Sequence, residues 1–200
     1  MLPVSDAGPV KIVGLGGSLD ADSASLAALS AALDAARAAG AATEVFDLAV
    51  LDLPLFRPGG SPVPADAARL ADAVYEADGL LWSSPLYHGT VSGAFKNALD
   101  WLELLGKREP AYLTDKVVGL IATAGGVQGL QAINTMEFVV RALRGWAVPL
   151  VVPIARAGRV FDEHGTPRDP AVAEQLRLLG SEVVRAAAKL RGGRVRTPAS

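Results

Sequence analysis

Five short strand-like runs alternating with five helical stretches predict a three-layer α/β sandwich, a five-stranded parallel sheet with helices on both faces. Two further observations point the same way. The first run, at 10–15, is apolar and β-branched, as a strand covered on both sides is. Glycines gather just beyond several of the runs, where a strand must turn into a helix.

The elements follow in order. Residues 10–15, Val-Lys-Ile-Val-Gly-Leu, form a β-branched run that ends in glycines and predicts a buried strand. Residues 23–39 are rich in Ala and Leu at helical spacing, and Gly40 closes them as a C-cap. Residues 43–48 predict a second strand, and the proline- and glycine-rich stretch 49–64 a long loop. A helix at 66–77 and a strand at 79–83 come next. The alternation then repeats: helix 93–105, strand 116–122, helix 130–145, strand 148–154 and a long last helix 169–190. Five strands so connected fit the flavodoxin-like order 2-1-3-4-5, in which ligands bind beyond the carboxyl ends of the strands.

Composition bounds the function. Half of the 200 residues are hydrophobic and a fifth charged, enough apolar matter for a well-buried core. The length suits a single domain over 1–200, its core at about 10–190 and its first eight and last nine residues frayed. A formal net charge of -2 gives no electrostatic footprint for nucleic acid. The basic residues from Arg185 to Arg196 are expected to belong to the last helix and a loose tail. The absence of cysteine excludes disulfides, thiolate nucleophiles and thiolate metal sites, and no metal site is expected. No stretch approaches the roughly 18 apolar residues of a membrane helix, and no basic segment followed by an apolar run opens the chain. A cytoplasmic protein without a membrane partner is expected.

The loops after strands one, three and four are the most distinctive parts of the chain. The first, residues 16–25, reads Gly-Gly-Ser-Leu-Asp-Ala-Asp-Ser-Ala-Ser. Its glycines allow a tight turn, the following helix N-terminus adds a positive dipole, and the hydroxyls of Ser18, Ser23 and Ser25 can donate to phosphate oxygens. Asp22 or Ser23 serves equally well as a simple helix cap. The loop is neither a dinucleotide fingerprint, since Leu19 stands where a third glycine belongs, nor a P-loop, since it holds no Lys. Asp47 is expected to be a turn residue rather than a ribose ligand.

The third-strand loop runs from Ser83 through Pro85, Leu86, Tyr87, His88 and Gly89 to Gly93. Pro85 fixes φ and Gly89 lets another group approach the main chain. Such a loop can present backbone N–H groups to a flat heteroaromatic ring, with Tyr87 as an apolar wall. Tyr87 and His88 are equally compatible with an ordinary surface turn. The fourth-strand loop, Thr123, Ala124, Gly125 and Gly126, is another glycine-rich turn opening a helix and can close the opposite edge of that ring.

The segment Ser84-Pro-Leu-Tyr-His-Gly-Thr-Val-Ser-Gly-Ala-Phe-Lys-Asn-Ala-Leu-Asp-Trp101 resembles the P-x-Y-[NH]-G…G-x-[FL]-K-N-[AL]-[LI]-D stretch of the NADPH-dependent FMN reductase family. The Gly-Ser-Leu-x3-Ser start and the Thr-Ala-Gly-Gly loop stand in the family's order and spacing, and the resemblance covers roughly residues 10–154. It implies FMN as cofactor and NADPH or NADH as hydride donor. Ser18, Ser23 and Ser25 would contact the FMN phosphate, Pro85 to Gly89 would line the isoalloxazine, and Thr123 to Gly126 its other edge or the ribityl chain. Helix 94–102, with Phe95, Leu99 and Leu102 on one face, packs at a subunit interface in relatives, which implies a homodimer or homotetramer; an intrachain core explains that face equally well.

Relatives usually carry Arg at the position of Asp20 and often Asn at that of Ser25, so Asp20 marks a departure in the phosphate loop. No side chain need act as general acid or base, because the cofactors carry the chemistry. Reduced flavin would pass to a flavin-dependent monooxygenase, or the enzyme would keep FMN and reduce a small-molecule acceptor such as a quinone, azo compound or metal ion. A flavodoxin-type electron carrier is the non-enzymatic alternative, for which -2 gives little acidic docking surface.

Overall fold

The computed structural model describes residues 8–20, 22–51 and 53–193. The expected fraying at 1–7 and 194–200, the end of the basic tail included, lies outside the described residues. The described residues form six strands: β1 (Lys11–Gly16), β2 (Ala42–Asp47), β3 (Gly79–Tyr87), β4 (Thr90–Val91), β5 (Val117–Thr123) and β6 (Trp146–Ile154). The sheet runs β2-β1-β3-β5-β6, all parallel, which is the expected 2-1-3-4-5 order.

β4 is an addition to the five expected strands. It pairs antiparallel with the end of β3, Leu86 opposite Val91 and Tyr87 opposite Thr90. The third strand is thus longer than the expected 79–83, and residues 84–87, expected as loop, continue it. The chain then makes a two-residue hairpin at His88 and Gly89, both with positive φ (49° and 86°), as a type I′ turn demands. Glycine takes this conformation freely and His is among the side chains that tolerate it.

Among the described residues six α-helices pack around the sheet: α1 (Ala24–Ala38), α2 (Leu48–Leu51), α3 (Ala65–Glu76), α4 (Gly93–Trp101), α5 (Gly129–Ala142) and α6 (Pro170–Gly193). Successive strand residues face opposite layers. Ile12, Leu81 and Ile121 meet Leu29, Leu33, Leu176 and Leu179 of α1 and α6. Val13, Leu80, Trp82 and Leu120 meet Leu70, Phe95 and Met136 of α3, α4 and α5. Phe95, Leu99 and Leu102 are therefore buried in the chain's own core, the alternative to an interface face. Leu48, expected at the end of a strand, opens α2 because the Asp47 carboxylate accepts the Ala49 N–H at 3.0 Å and turns the chain. No helix among the described residues is long and apolar enough to cross a membrane.

Candidate functional site

Parallel pairing brings three strand ends to one edge, with Gly16 beside Ser83 and Pro85 beside Thr123. Glycine is required where the first strand leaves the sheet. A Cβ on Gly16 would stand 2.3 Å from the Ser83 carbonyl oxygen, and Gly17 follows with φ +96°. The chain then crosses the sheet edge to Ser23, whose side chain caps α1.

The serine and threonine hydroxyls at this edge have defined jobs, and together they leave donors over. The Ser18 hydroxyl accepts the Asp20 N–H at 3.3 Å, and Ser23 accepts the Leu26 N–H at 3.2 Å. Each therefore keeps its own proton available, because a hydroxyl both donates and accepts. The Ser25 hydroxyl is hydrogen-bonded to the Thr123 hydroxyl, and Ser83 donates to the Ser25 carbonyl at 2.8 Å. Ser84 accepts the Ser92 N–H at 3.1 Å and donates to the Pro85 carbonyl at 3.0 Å, fixing the base of the hairpin. The first-turn N–H groups of α1 add a partial positive charge.

A cleft of about 180 Å³ gathers Ser18, Asp20, Ser23, Ser25, Pro85, Leu86, Tyr87, Thr123, Ala124 and Gly125. Ten of the sequence-predicted residues thus share one wall system. His88, Gly89 and Gly126 lie outside it. The first two form the exposed hairpin tip, which rests on α5 through Thr90 Oγ1 and Thr135 Oγ1 at 3.1 Å. The Gly126 carbonyl instead accepts the Arg156 N–H at 3.0 Å, and the Ala124 carbonyl the Ala157 N–H at 3.0 Å, so the fourth loop is braced by the chain leaving β6.

The structure adds lining residues that sequence reasoning missed as ligand-facing: Asp22, Ala24 and Ala157. Beyond them the cleft opens into a broader groove of about 710 Å³ between α1 and the 161–167 turn. There the backbone N–H groups of Thr166, chiefly, and His164 hold the Asp162 carboxyl below its ordinary range. Asn97 and Trp101 of the Lys-Asn-Ala-Leu-Asp-Trp stretch have a structural task. Asn97 Oδ1 accepts the Phe56 N–H at 2.8 Å, and Trp101 Nε1 donates to the Pro54 carbonyl at 2.9 Å. They fasten the proline-rich loop beside α4. That loop walls a second, apolar cleft of about 310 Å³ lined by Leu19, Leu48, Leu51, Leu53 and Leu55.

Residues 10–158 match the model of the NADPH-dependent FMN reductase family. The chain belongs to that family. NADPH-dependent FMN reductase ArsH of Shigella flexneri is 30% identical over 189 residues, 93% of this chain and 72% of that protein. The ArsH of Acidithiobacillus ferrooxidans is 31% identical over 130 residues, 61% of this chain. The FMN-dependent NADPH-azoreductase of Staphylococcus aureus is 32% identical over 128 residues, 62% of this chain. The matched stretch spans 54% of the Acidithiobacillus protein and 65% of the azoreductase. Among solved structures, the flavoenzyme FerB of Paracoccus denitrificans shares the fold, with a TM-score of 0.73 at 20% identity over 90% of this chain and 98% of that chain.

The residues present fit a phosphomonoester attached to a flat ring. Hydroxyl protons and helix N–H groups form a donor set for an anion, and a Cβ on Gly125 would meet nothing within 4 Å, leaving main chain open beside Tyr87, which is 54% exposed. Asp20 and Asp22 work against the anion. Asp20 Oδ1 is folded back onto the Asp22 N–H at 3.2 Å, which directs part of its charge into the loop.

Proposed function

We propose that this chain is an NAD(P)H-dependent FMN reductase, a single-domain cytoplasmic enzyme that works as a homodimer or homotetramer. FMN, when bound, supplies the acceptor for hydride delivered by NADPH or NADH. The chain's own residues do the holding. Ser18, Ser23 and Ser25 would donate to the phosphate, Pro85, Leu86 and above all Tyr87 would wall the ring, and Thr123 to Gly125 would close its other side. The backbone N–H groups of these loops favour negative charge on the ring as it is reduced. No side chain is assigned proton transfer; His88 lies outside the cleft, on the hairpin tip. The observation that carries the reading is the family match over residues 10–158 together with hydroxyl protons left free at the strand ends.

The test is oxidation of NADPH and NADH with and without added FMN, alongside calorimetric titration of FMN. Turnover that depends on FMN supports the reading, and no FMN binding at tens of micromolar removes it. A second reading, an FMN-retaining reductase of a small-molecule acceptor such as a quinone, azo compound or metal ion, is favoured by the azoreductase relative and the apolar cleft beside Leu19. Flavin that stays with the protein through gel filtration, with ping-pong kinetics toward the acceptor, selects it. Flavin lost on dilution selects supply of reduced FMN to a flavin-dependent monooxygenase.

A further inference from the structure

Four hydroxyls are buried where β3 and β5 end under the first turn of α1: Ser25, Ser83, Ser84 and Thr123, none more than 4% exposed. Each has one proton to give. The Ser83 proton goes to the Ser25 carbonyl and the Ser84 proton to the Pro85 carbonyl. Ser25 and Thr123 face each other, so their contact uses one of their two protons, whichever of them donates. The other has no protein acceptor among the described residues, and both side chains line the cleft. A buried donor without an acceptor is costly, and an anion in the cleft removes that cost.

We propose that Ser25 and Thr123 act as one unit that selects a phosphorylated flavin over its dephosphorylated parent, with Thr123 as the positioning residue. This rests on the proposal that the cleft holds FMN. It moves Thr123 from the ring edge or ribityl chain, where the resemblance put it, to the phosphate end. Donation from Thr123 fixes the Ser25 oxygen and frees the Ser25 proton for a phosphate oxygen above α1. With Val in place of Thr123, the Ser25 hydroxyl loses that anchor. It can then rotate among its staggered wells and turn onto carbonyls of its own helix turn. Riboflavin, which has no phosphate, does not use the proton.

The experiment measures dissociation constants for FMN and riboflavin by flavin fluorescence in the parent, Thr123→Val, Thr123→Ser, Ser25→Ala and the Val/Ala double variant. Thermal melts verify that each is folded. Thr123→Val and Ser25→Ala are each expected to weaken FMN about tenfold, the range of a hydrogen bond to a charged group. Riboflavin should change less than about twofold, and Thr123→Ser should keep most of the parent's FMN affinity. The double variant should be no weaker than the weaker single one, as expected for groups acting as a unit. Equal losses for FMN and riboflavin, losses that add fully in the double variant, or a neutral Thr123→Val would each overturn the proposal while leaving the FMN reading intact. A parent that binds neither flavin at tens of micromolar would overturn both.

Discussion

The two ends of the sheet handle polar groups in opposite ways. At the amino ends of the strands, charges are buried and matched. Asp78, 6% exposed, accepts the Lys11 N–H at 3.0 Å and Arg191 Nη1 at 3.2 Å, which ties α6 back to β1. Lys116, also 6% exposed, donates to the Tyr75 and Ala77 carbonyls at 2.7 Å each, closing the end of α3. At the carboxyl ends the buried polar groups are neutral hydroxyls, and their protons outnumber the acceptors they meet among the described protein atoms. The first end is built to be complete without a ligand. The second is stable enough without one, because a hydroxyl with an idle proton costs far less than a lone buried charge.

That contrast is broken most severely at Asp78. Asp78→Ala strips a buried acceptor from Lys11 and Arg191 together. Stability should fall by about 2–3 kcal/mol, below the loss for a fully buried pair because Arg191 is a quarter exposed. Denaturant unfolding measures it, and FMN affinity of the folded fraction should be unchanged. A drop in FMN affinity as large as the loss of stability would show that the two ends are not separable.

Next in size is Gly89→Val. The built Cβ would clear its nearest neighbour, Gln131 Oε1, at 3.5 Å, so space is not the obstacle. The φ of +86° is, and a β-branched residue there costs about 1–2 kcal/mol or flips the turn. Residues 79–85 should stay paired, since β1 and β5 hold 79–83 between them and β5 holds 84 and 85. FMN should therefore weaken at least about tenfold, while the melting temperature falls by only a few degrees. Unchanged FMN affinity would detach the hairpin from the site.

Ser23 separates the helix cap from the anion site. Ser23→Ala removes both jobs and should cost about 1 kcal/mol of stability along with FMN affinity. Ser23→Asp keeps an equally good cap but brings no proton at neutral pH and adds a like charge. It should melt like the parent and bind FMN several-fold more weakly. Weakening equal to that of Ser23→Ala in riboflavin binding would place the residue away from the phosphate.

The sequence made the architecture legible because the central strands β1, β3 and β5 carry apolar runs and helices such as α1 and α4 start at a capping serine, Ser23 and Ser92. The hairpin was hidden. His-Gly is not the Asn-Gly or Asp-Gly pair that marks a type I′ turn, and β4 is only two residues long. Ten of the residues that line the cleft were legible because strand ends of a parallel sheet must converge. Asp22, Ala24 and Ala157 were not, since nothing local distinguishes a residue that faces a cleft from one that caps a turn. Asn97 was visible as part of a motif, but its task depends on contacts some 40 positions away along the chain.

The smallest expected effect is at Asp20, and it asks how far neutral donors alone can hold an anion. Asp20 lines the cleft, is exposed, and accepts the Asp22 N–H through one carboxylate oxygen. A unit charge pair at ~6 Å is worth roughly 3 kcal/mol at an effective dielectric near 20. Solvent and salt cut exposed pairs to about 1 kcal/mol or less. Asp20→Arg replaces repulsion with attraction but also removes the carboxylate that holds the Asp22 N–H, which loosens the loop and works against the gain. FMN should therefore tighten by only about threefold to fivefold at low salt, less at high salt, with riboflavin unaffected. Parallel titrations of both flavins at two ionic strengths measure this. A gain that persists at high salt, or one shared by riboflavin, would mean that Asp20 acts through loop shape and not through charge. Charge repulsion at Asp20 would then play no part in how firmly the chain holds FMN.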